Sequence, residues 1–312
     1  MSEQKLPDWK KDSLSFFFFC YSENVQSNLS YWWYNVKHIR INGMEAQIMN
    51  YIKGNKQAWE HAFTHRSGEY AKDLAERLKN EENPFFHDNF HNVLKPYDFN
   101  GKSIAQFCSN NGRELLQLAL RGVSKAVGFE LAENMVDYGN RMAQALNVNA
   151  TFVGTDILAI DEAYDAQFDY GLITVGAMCW FEDLNHFFKK VSQTLKKGAT
   201  LFIHEAHPFE LMLATKYEPA FDADDPKRLA YDYFGKTVWK EHGMGYMSET
   251  SSDENVFTSF SHTLSDIFNA MKQNGLSVER FEEYDYCVGN ILDHLDHEGL
   301  PLSMIIVAKK EF

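Results

Sequence analysis

Five short apolar runs, separated by stretches of helical periodicity, constrain this chain more than any other feature. The runs are Ser103–Phe107, Ala126–Glu130, Ala150–Gly154, Tyr170–Val175 and Ala199–His204. Each is of strand length and mostly apolar at successive positions, where a half-exposed strand would alternate, so the pattern predicts strands covered on both faces. The intervening segments supply the cover. Leu115, Leu118 and Ala119 share one helical face, and Leu184, Phe187, Phe188, Val191 and Leu195 recur at i, i+3, i+4, i+7 and i+11. Lys196-Lys197-Gly198 reads as the end of that second helix, with cations at its negative pole and a glycine cap. Right-handed crossovers then give an α/β fold with a parallel sheet. Further on, Leu264, Ile267, Phe268 and Met271 mark another helix, and Ser277–Tyr284 and Leu302–Lys309 two last strands.

The rest of the chain breaks this rhythm. Residues 1–30 read as a poorly defined extension and 31–95 as a helical cap, with Trp32, Trp33, Trp59 and Phe63 among its aromatics. Helical spacing is present over Met44–Ile52 and Glu69–Leu78, with breaks at Gly54-Asn55 and Ser67-Gly68. The α/β domain is expected over 96–312, interrupted at about 207–260 by a segment with Pro208, Pro219, Pro226 and a Gly243-Met244-Gly245 turn. That segment reads as an insertion or lid. The apolar run Phe16–Cys20 is too short to span a bilayer and lacks a signal-peptide cleavage site, so a cytoplasmic chain without membrane attachment is expected.

A formal charge of −14 repels phosphate backbones, and Lys and Arg occur singly or in pairs with no basic stripe, which argues against nucleic acid as a partner. Cys20, Cys108, Cys179 and Cys287 form no CxxC, so neither a zinc knuckle nor a disulfide framework is indicated. His87-Asp88-Asn89-Phe90-His91 imitates a metallopeptidase helix, but Asp stands where the general base would be Glu and no third ligand follows. Pro84 and Pro96 bracket it, making a long helix doubtful. No metal site is expected.

In an open parallel sheet, ligands gather at the carboxyl ends of the strands. After the first strand comes the polar loop Cys108-Ser109-Asn110-Asn111-Gly112-Arg113-Glu114, where Gly112 would let a ligand approach the backbone. Glu130 ends the second strand, where its carboxylate could accept from two ribose hydroxyls or cap the following helix. Asp156 follows the third strand, placed to accept from an adenine amino group. A glycine loop, an acid about twenty residues on and another acid after the next strand together point to a nucleoside.

The stretches IAQFCSNNGRELLQLALRG, AVGFELAENMVDYGNRMA, FVGTDIL and YGLITVGAMCWFEDLNHFFKKVSQTLKKGATLFIHEAHP, within about 101–205, resemble the class I S-adenosylmethionine-dependent methyltransferase family, motif by motif and in order. The resemblance implies a Rossmann-like, mostly parallel seven-stranded sheet with helices on both faces. It implies S-adenosyl-L-methionine as cofactor, with Phe107, Asn110 and Gly112 beside its methionine part and Glu130 and Leu131 at the ribose. Asp156 and Ile157 would take the adenine, and Thr174, Val175 and Gly176 would form the floor below the sulfonium. The first motif departs from the common pattern: Gln106 replaces an acid, and Cys108 and Asn110 replace glycines.

His204, Glu205 and His207 lie where the fifth strand ends and are the candidate bases or substrate contacts. Trp180, after the fourth, could close over the cofactor or pack against the cap. The expected reaction is in-line methyl transfer to a small or medium-sized organic acceptor, with a non-catalytic nucleotide-binding or sensing module as the alternative. A dinucleotide oxidoreductase fits less well, since only Gly112 of a G-x-G-x-x-G is present.

Overall fold

The computed structural model describes residues 51–312 apart from 217, 249, 251 and 290, and these belong to one compact unit. The extension 1–30, the Phe16–Cys20 run, Trp32, Trp33 and most of Met44–Ile52 lie outside the described residues.

Helix α1 covers residues 51–64 and is followed by α2 (Gly68–Ala71), α3 (Leu74–Asn80) and α4 (Asp88–Leu94). The periodic stretch Glu69–Leu78 is thus two helices and not one. Lys72 is extended, and the Asp73 carboxylate restarts the chain by accepting from Glu76 N. Between the two prolines the doubted helix does form, as the short α4, with His87 as its N-cap accepting from Asn89 N.

The alternating region then runs β1 (Ser103–Phe107), α5 (Arg113–Ala119), β2 (Lys125–Glu130), α6 (Glu133–Leu146), β3 (Ala150–Gly154), β4 (Phe168–Thr174), α7 (Leu184–Thr194) and β5 (Leu195–Ala206). The segment after His207 holds a hairpin, β6 (Val238–Glu241) and β7 (Phe257–Phe260). Helix α8 (Leu264–Gln273), β8 (Leu276–Tyr284) and β9 (Ser303–Lys310) complete the chain. Lys196-Lys197-Gly198 is not a helix end. Helix α7 stops at Thr194, and the register between β4 and β5 jumps from Phe168–Leu195 to Tyr170–Thr200, so Lys196–Ala199 bulges out of the ladder.

The seven-stranded sheet has the order β3-β2-β1-β4-β5-β9-β8, parallel except for β9, which is antiparallel to both neighbours. Its faces carry separate apolar cores. Ile104, Leu172, Phe202 and Ile305 meet Trp59, Leu78, Phe90 and Leu115 on one side, so α1, α3, α4 and α5 share a core with the sheet. Ala105, Ile173, Ile203 and Ile306 meet Phe187, Phe188, Val191, Ile267 and Met271 on the other. Each such side chain contributes about 1.5–3 kcal/mol of burial. The chain order reverses between β1 and β4, and a crevice forms at such a reversal outside the carboxyl ends of the strands.

Candidate active site

The turn after β1 is left-handed three times. Cys108 has φ 56°, Asn110 φ 50° and Gly112 φ 85°. The two positions where glycine is replaced therefore keep a glycine-like backbone, at a cost of about 1–2 kcal/mol for a side chain held there, least for Asn. Asn110 Oδ1 offsets part of this by accepting from Asn111 N at 2.7 Å. A Cβ on Gly112 would lie 2.3 Å from Cζ of Phe152, so packing alone already requires a glycine here. Gly128 and Gly139 face the same ring, and the three glycines form its socket.

Glu130, 6% exposed, holds that turn. Its Oε2 accepts from Asn110 N at 2.7 Å, and Oε1 accepts from Leu131 N and Ala132 N at 2.8 and 3.0 Å. Burial pushes its pKa up while these amide bonds pull it down. A carboxylate offers about four acceptor positions, so one remains on Oε2. Asp156 Oδ1 accepts from Leu158 N at 3.0 Å and caps the 3-10 turn Ile157–Ala159; Ile157 is buried.

On the other side of the crevice, β4 ends in buried Thr174, exposed Val175 and Gly176 at φ 80°. A Cβ on Gly176 would meet nothing within 4 Å, so this turn is open above its backbone. Glu205 of the neighbouring β5, 3% exposed, braces it. Its Oε2 accepts from Gly176 N at 2.6 Å, and Oε1 accepts from Ala177 N and Met178 N at 2.6 and 3.0 Å. Between the two turns, Gln106 Nε2 of β1 donates to Thr174 Oγ1 of β4 at 2.8 Å, while its buried Oε1 has no partner.

The other two candidates after β5 are not brought together with Glu205. His204 stacks on Phe90 at 4.9 Å, and its Nε2 lies 3.4 Å from the Tyr286 hydroxyl. Burial, with His87 nearby, drives its pKa down to about 3. Tyr286 in turn stacks on His87 at 3.8 Å. His207 Nδ1 accepts from Phe209 N at 3.0 Å, which leaves the proton on Nε2, 3.0 Å from Glu283 Oε1 but out of line for a hydrogen bond. Tyr286 was not singled out from sequence: it sits in an irregular stretch with no periodicity to mark it.

Three segments meet in one aromatic cluster. Trp59 of α1 meets Trp180 and Phe257 edge to face, at 5.3 and 5.0 Å. Two adjacent residues tie helix α1 to two different elements: Lys56 Nζ donates to Glu133 Oε1 at 2.9 Å, and Asn55 bonds both backbone groups of Thr258. Tyr246 of the insertion is 43% exposed, yet desolvation holds its hydroxyl pKa well above the usual value. Cys108 and Cys179 are half-buried, and desolvation raises both thiol pKa values.

Among the described residues, no group of three or more His, Cys, Asp or Glu is placed to hold a metal ion, and no helix is long and apolar enough to cross a membrane. His91 Nε2 faces Arg121 Nη2 at 3.2 Å.

Residues 104–198 match the family model of a methyltransferase domain. No curated protein matches the chain by sequence. Among solved structures, a protein from Listeria monocytogenes described as an S-adenosylmethionine-dependent methyltransferase superposes with a TM-score of 0.56 at 18% identity, covering 72% of this chain and 98% of that one. An S-adenosylmethionine-dependent methyltransferase from Mesorhizobium loti gives 0.54 at 18% identity, over 74% and 99%. Geranyl diphosphate C-methyltransferase from Streptomyces coelicolor A3(2), solved with Mg2+, geranyl diphosphate and S-adenosyl-L-homocysteine, gives 0.52 at 11% identity, over 83% and 97%. These likenesses concern the fold, and the family match concerns the strands and turns that carry the crevice. Residues 104–198 therefore match a methyltransferase domain, carried on a fold shared with solved S-adenosylmethionine-dependent methyltransferases.

Proposed function

We propose that the chain transfers a methyl group in line to a small or medium-sized organic acceptor that is nucleophilic without help from a protein base. The carrying observation is the pair of left-handed turns flanking the β1/β4 crevice, each braced by a buried carboxylate that accepts three amides. The cofactor, when bound, supplies an activated methyl on a sulfonium, so the protein's task is alignment and exclusion of water.

The residues present fit that group. Gln106 Oε1, an orphaned buried acceptor, matches the ammonium of an amino acid moiety. The remaining acceptor position of Glu130 suits a ribose hydroxyl, and Asp156 suits the adenine amino group, with Leu131 and Ile157 beside them. Gly176 leaves room for close approach to the backbone between Val175 and Ala177. The aromatic cluster of Trp59, Trp180 and Phe257 keeps water out. In this reading α1–α4 and the 207–260 segment form the cap over the acceptor.

The three candidates at the end of β5, His204, Glu205 and His207, support positioning and not proton removal. Glu205 is engaged by amides, His207 is held in its turn, and His204 is too weak a base at a pKa of about 3. The acceptor must therefore bring its own lone pair, as a thiolate, neutral amine or carbanion does.

Calorimetric titration of the full chain with S-adenosylhomocysteine and NAD tests the cofactor reading, which expects saturable binding of the first alone. Transfer from methyl-labelled S-adenosylmethionine to a small-metabolite extract tests turnover. Binding with no labelled product from any extract would favour the sensing module.

A further inference from the structure

Far from the crevice, at the opposite edge of the sheet, the protein has a second concavity of about 200 Å3. Its walls come from the segment before β1, the bulge before Thr200 and the end of β9, with Lys102, Lys196, Lys197 and Lys309 among the lining residues and the rings of Tyr97 and Tyr170 beside them. In a chain of net charge −14, four lysines from three separate segments around one hollow are an unusual concentration.

The single carboxylate in the lining does not neutralise them. Asp169 is taken up by Ser103, accepting from its backbone N at 2.9 Å and its hydroxyl at 2.7 Å, and by Lys196 Nζ at 3.0 Å. Lys309 is fixed by neutral oxygens alone, donating to Thr200 Oγ1 at 2.7 Å and Gly198 O at 3.4 Å, so its ammonium is preorganised with its charge unspent. Lys102 and Lys197 are exposed, with no side-chain hydrogen bond or ion pair among the described residues. One fixed and two swinging ammonium groups around a small hollow are suited to a compact, doubly charged oxyanion.

We infer that this concavity is a binding site for the phosphate group of a small soluble molecule, separate from the methyl-transfer crevice. The Lys196–Ala199 bulge builds it: by leaving the β4–β5 ladder, it carries two lysines to the hollow that a continuous strand would place on opposite faces. The inference does not depend on the methyltransferase reading, because the two sites share no residue.

The test is thermal unfolding and calorimetry of the full chain titrated with inorganic phosphate and pyrophosphate, against sodium chloride at matched ionic strength. A saturable rise in Tm with either phosphate beyond the chloride effect is expected. Lys102→Ala with Lys197→Ala should lower phosphate affinity about tenfold or more while leaving the circular dichroism spectrum unchanged. Lys309→Met serves as an independent variant with the same expected loss. A response no larger than that of chloride, or one that persists in both variants, overturns the proposal.

Discussion

The turns on either side of the crevice are built alike and held differently. Each leaves a strand in the left-handed region, and each is pinned by a buried carboxylate from the next strand outward: Glu130 of β2 for the turn after β1, Glu205 of β5 for the turn after β4. Glu130 takes one of its three amides from across the sheet and two from its own chain neighbours. All three donors to Glu205 lie 27–29 residues away. The first turn carries Cys108 and Asn110 at left-handed positions and is tightly packed at Gly112, whereas the second uses Gly176 with open space above it. One side is therefore a strained, closed mould and the other a relaxed, open floor, which suits fixed recognition of one ligand part beside room for a reacting group.

The largest expected effect separates the two braces. Glu205→Ala strands three buried amides of a distant turn and should cost about 3–5 kcal/mol in urea unfolding. A loss below 1 kcal/mol would mean that the turn after β4 does not need its brace. Gly112→Ala probes the closed mould: Cβ contact with Phe152 adds to a left-handed backbone, and a loss of about 2–4 kcal/mol is expected. Gly176→Ala, with equal backbone strain but no clash, should lose clearly less.

His204 gives a pH test of the open side. Its folded pKa of about 3 lies below the unfolded value near 6.5, so the unfolded chain takes up the proton first as pH falls. Its stabilising contribution is complete above pH 6.5 and is lost progressively toward pH 3, about 2 kcal/mol having gone by pH 5. His204→Phe should flatten that part of the stability–pH curve and, if no protein base is needed, keep methyl transfer. A variant curve as steep as the wild type would place the titration elsewhere. Glu130→Ala should weaken S-adenosylhomocysteine binding by about 1–2 kcal/mol, read by calorimetry with the fold checked by circular dichroism. Unchanged affinity would make Glu130 a brace and nothing more. The smallest effect is expected for Asn110→Gly, where relief of strain and loss of the bond to Asn111 N nearly cancel; the change in unfolding free energy should stay within about 1 kcal/mol.

Much of this molecule was legible in the order of its residues. The seven strands, the helices of the alternating region and the acids at the ends of β2 and β3 follow from burial periodicity and chain order, which act locally and repeat. Sequence missed where one residue serves two neighbours. The packing requirement at Gly112 shows only once Phe152, forty residues on, is seen in its socket. Lys196–Ala199 looks like a helix end until the register with β4 shows it bulging from a strand.

By itself, then, the sequence determined the sheet and its covered faces, because apolar spacing and turn chemistry are properties of nearby residues. Only the tertiary structure decided what the polar groups at the strand ends are free to do. A carboxylate or imidazole has a fixed number of hydrogen-bonding positions, and whether backbone amides from a distant turn fill them depends on which strands lie side by side. So Glu205 has its oxygens engaged by three amides of the turn after β4, and burial of His204 against Phe90, with His87 nearby, lowers its pKa.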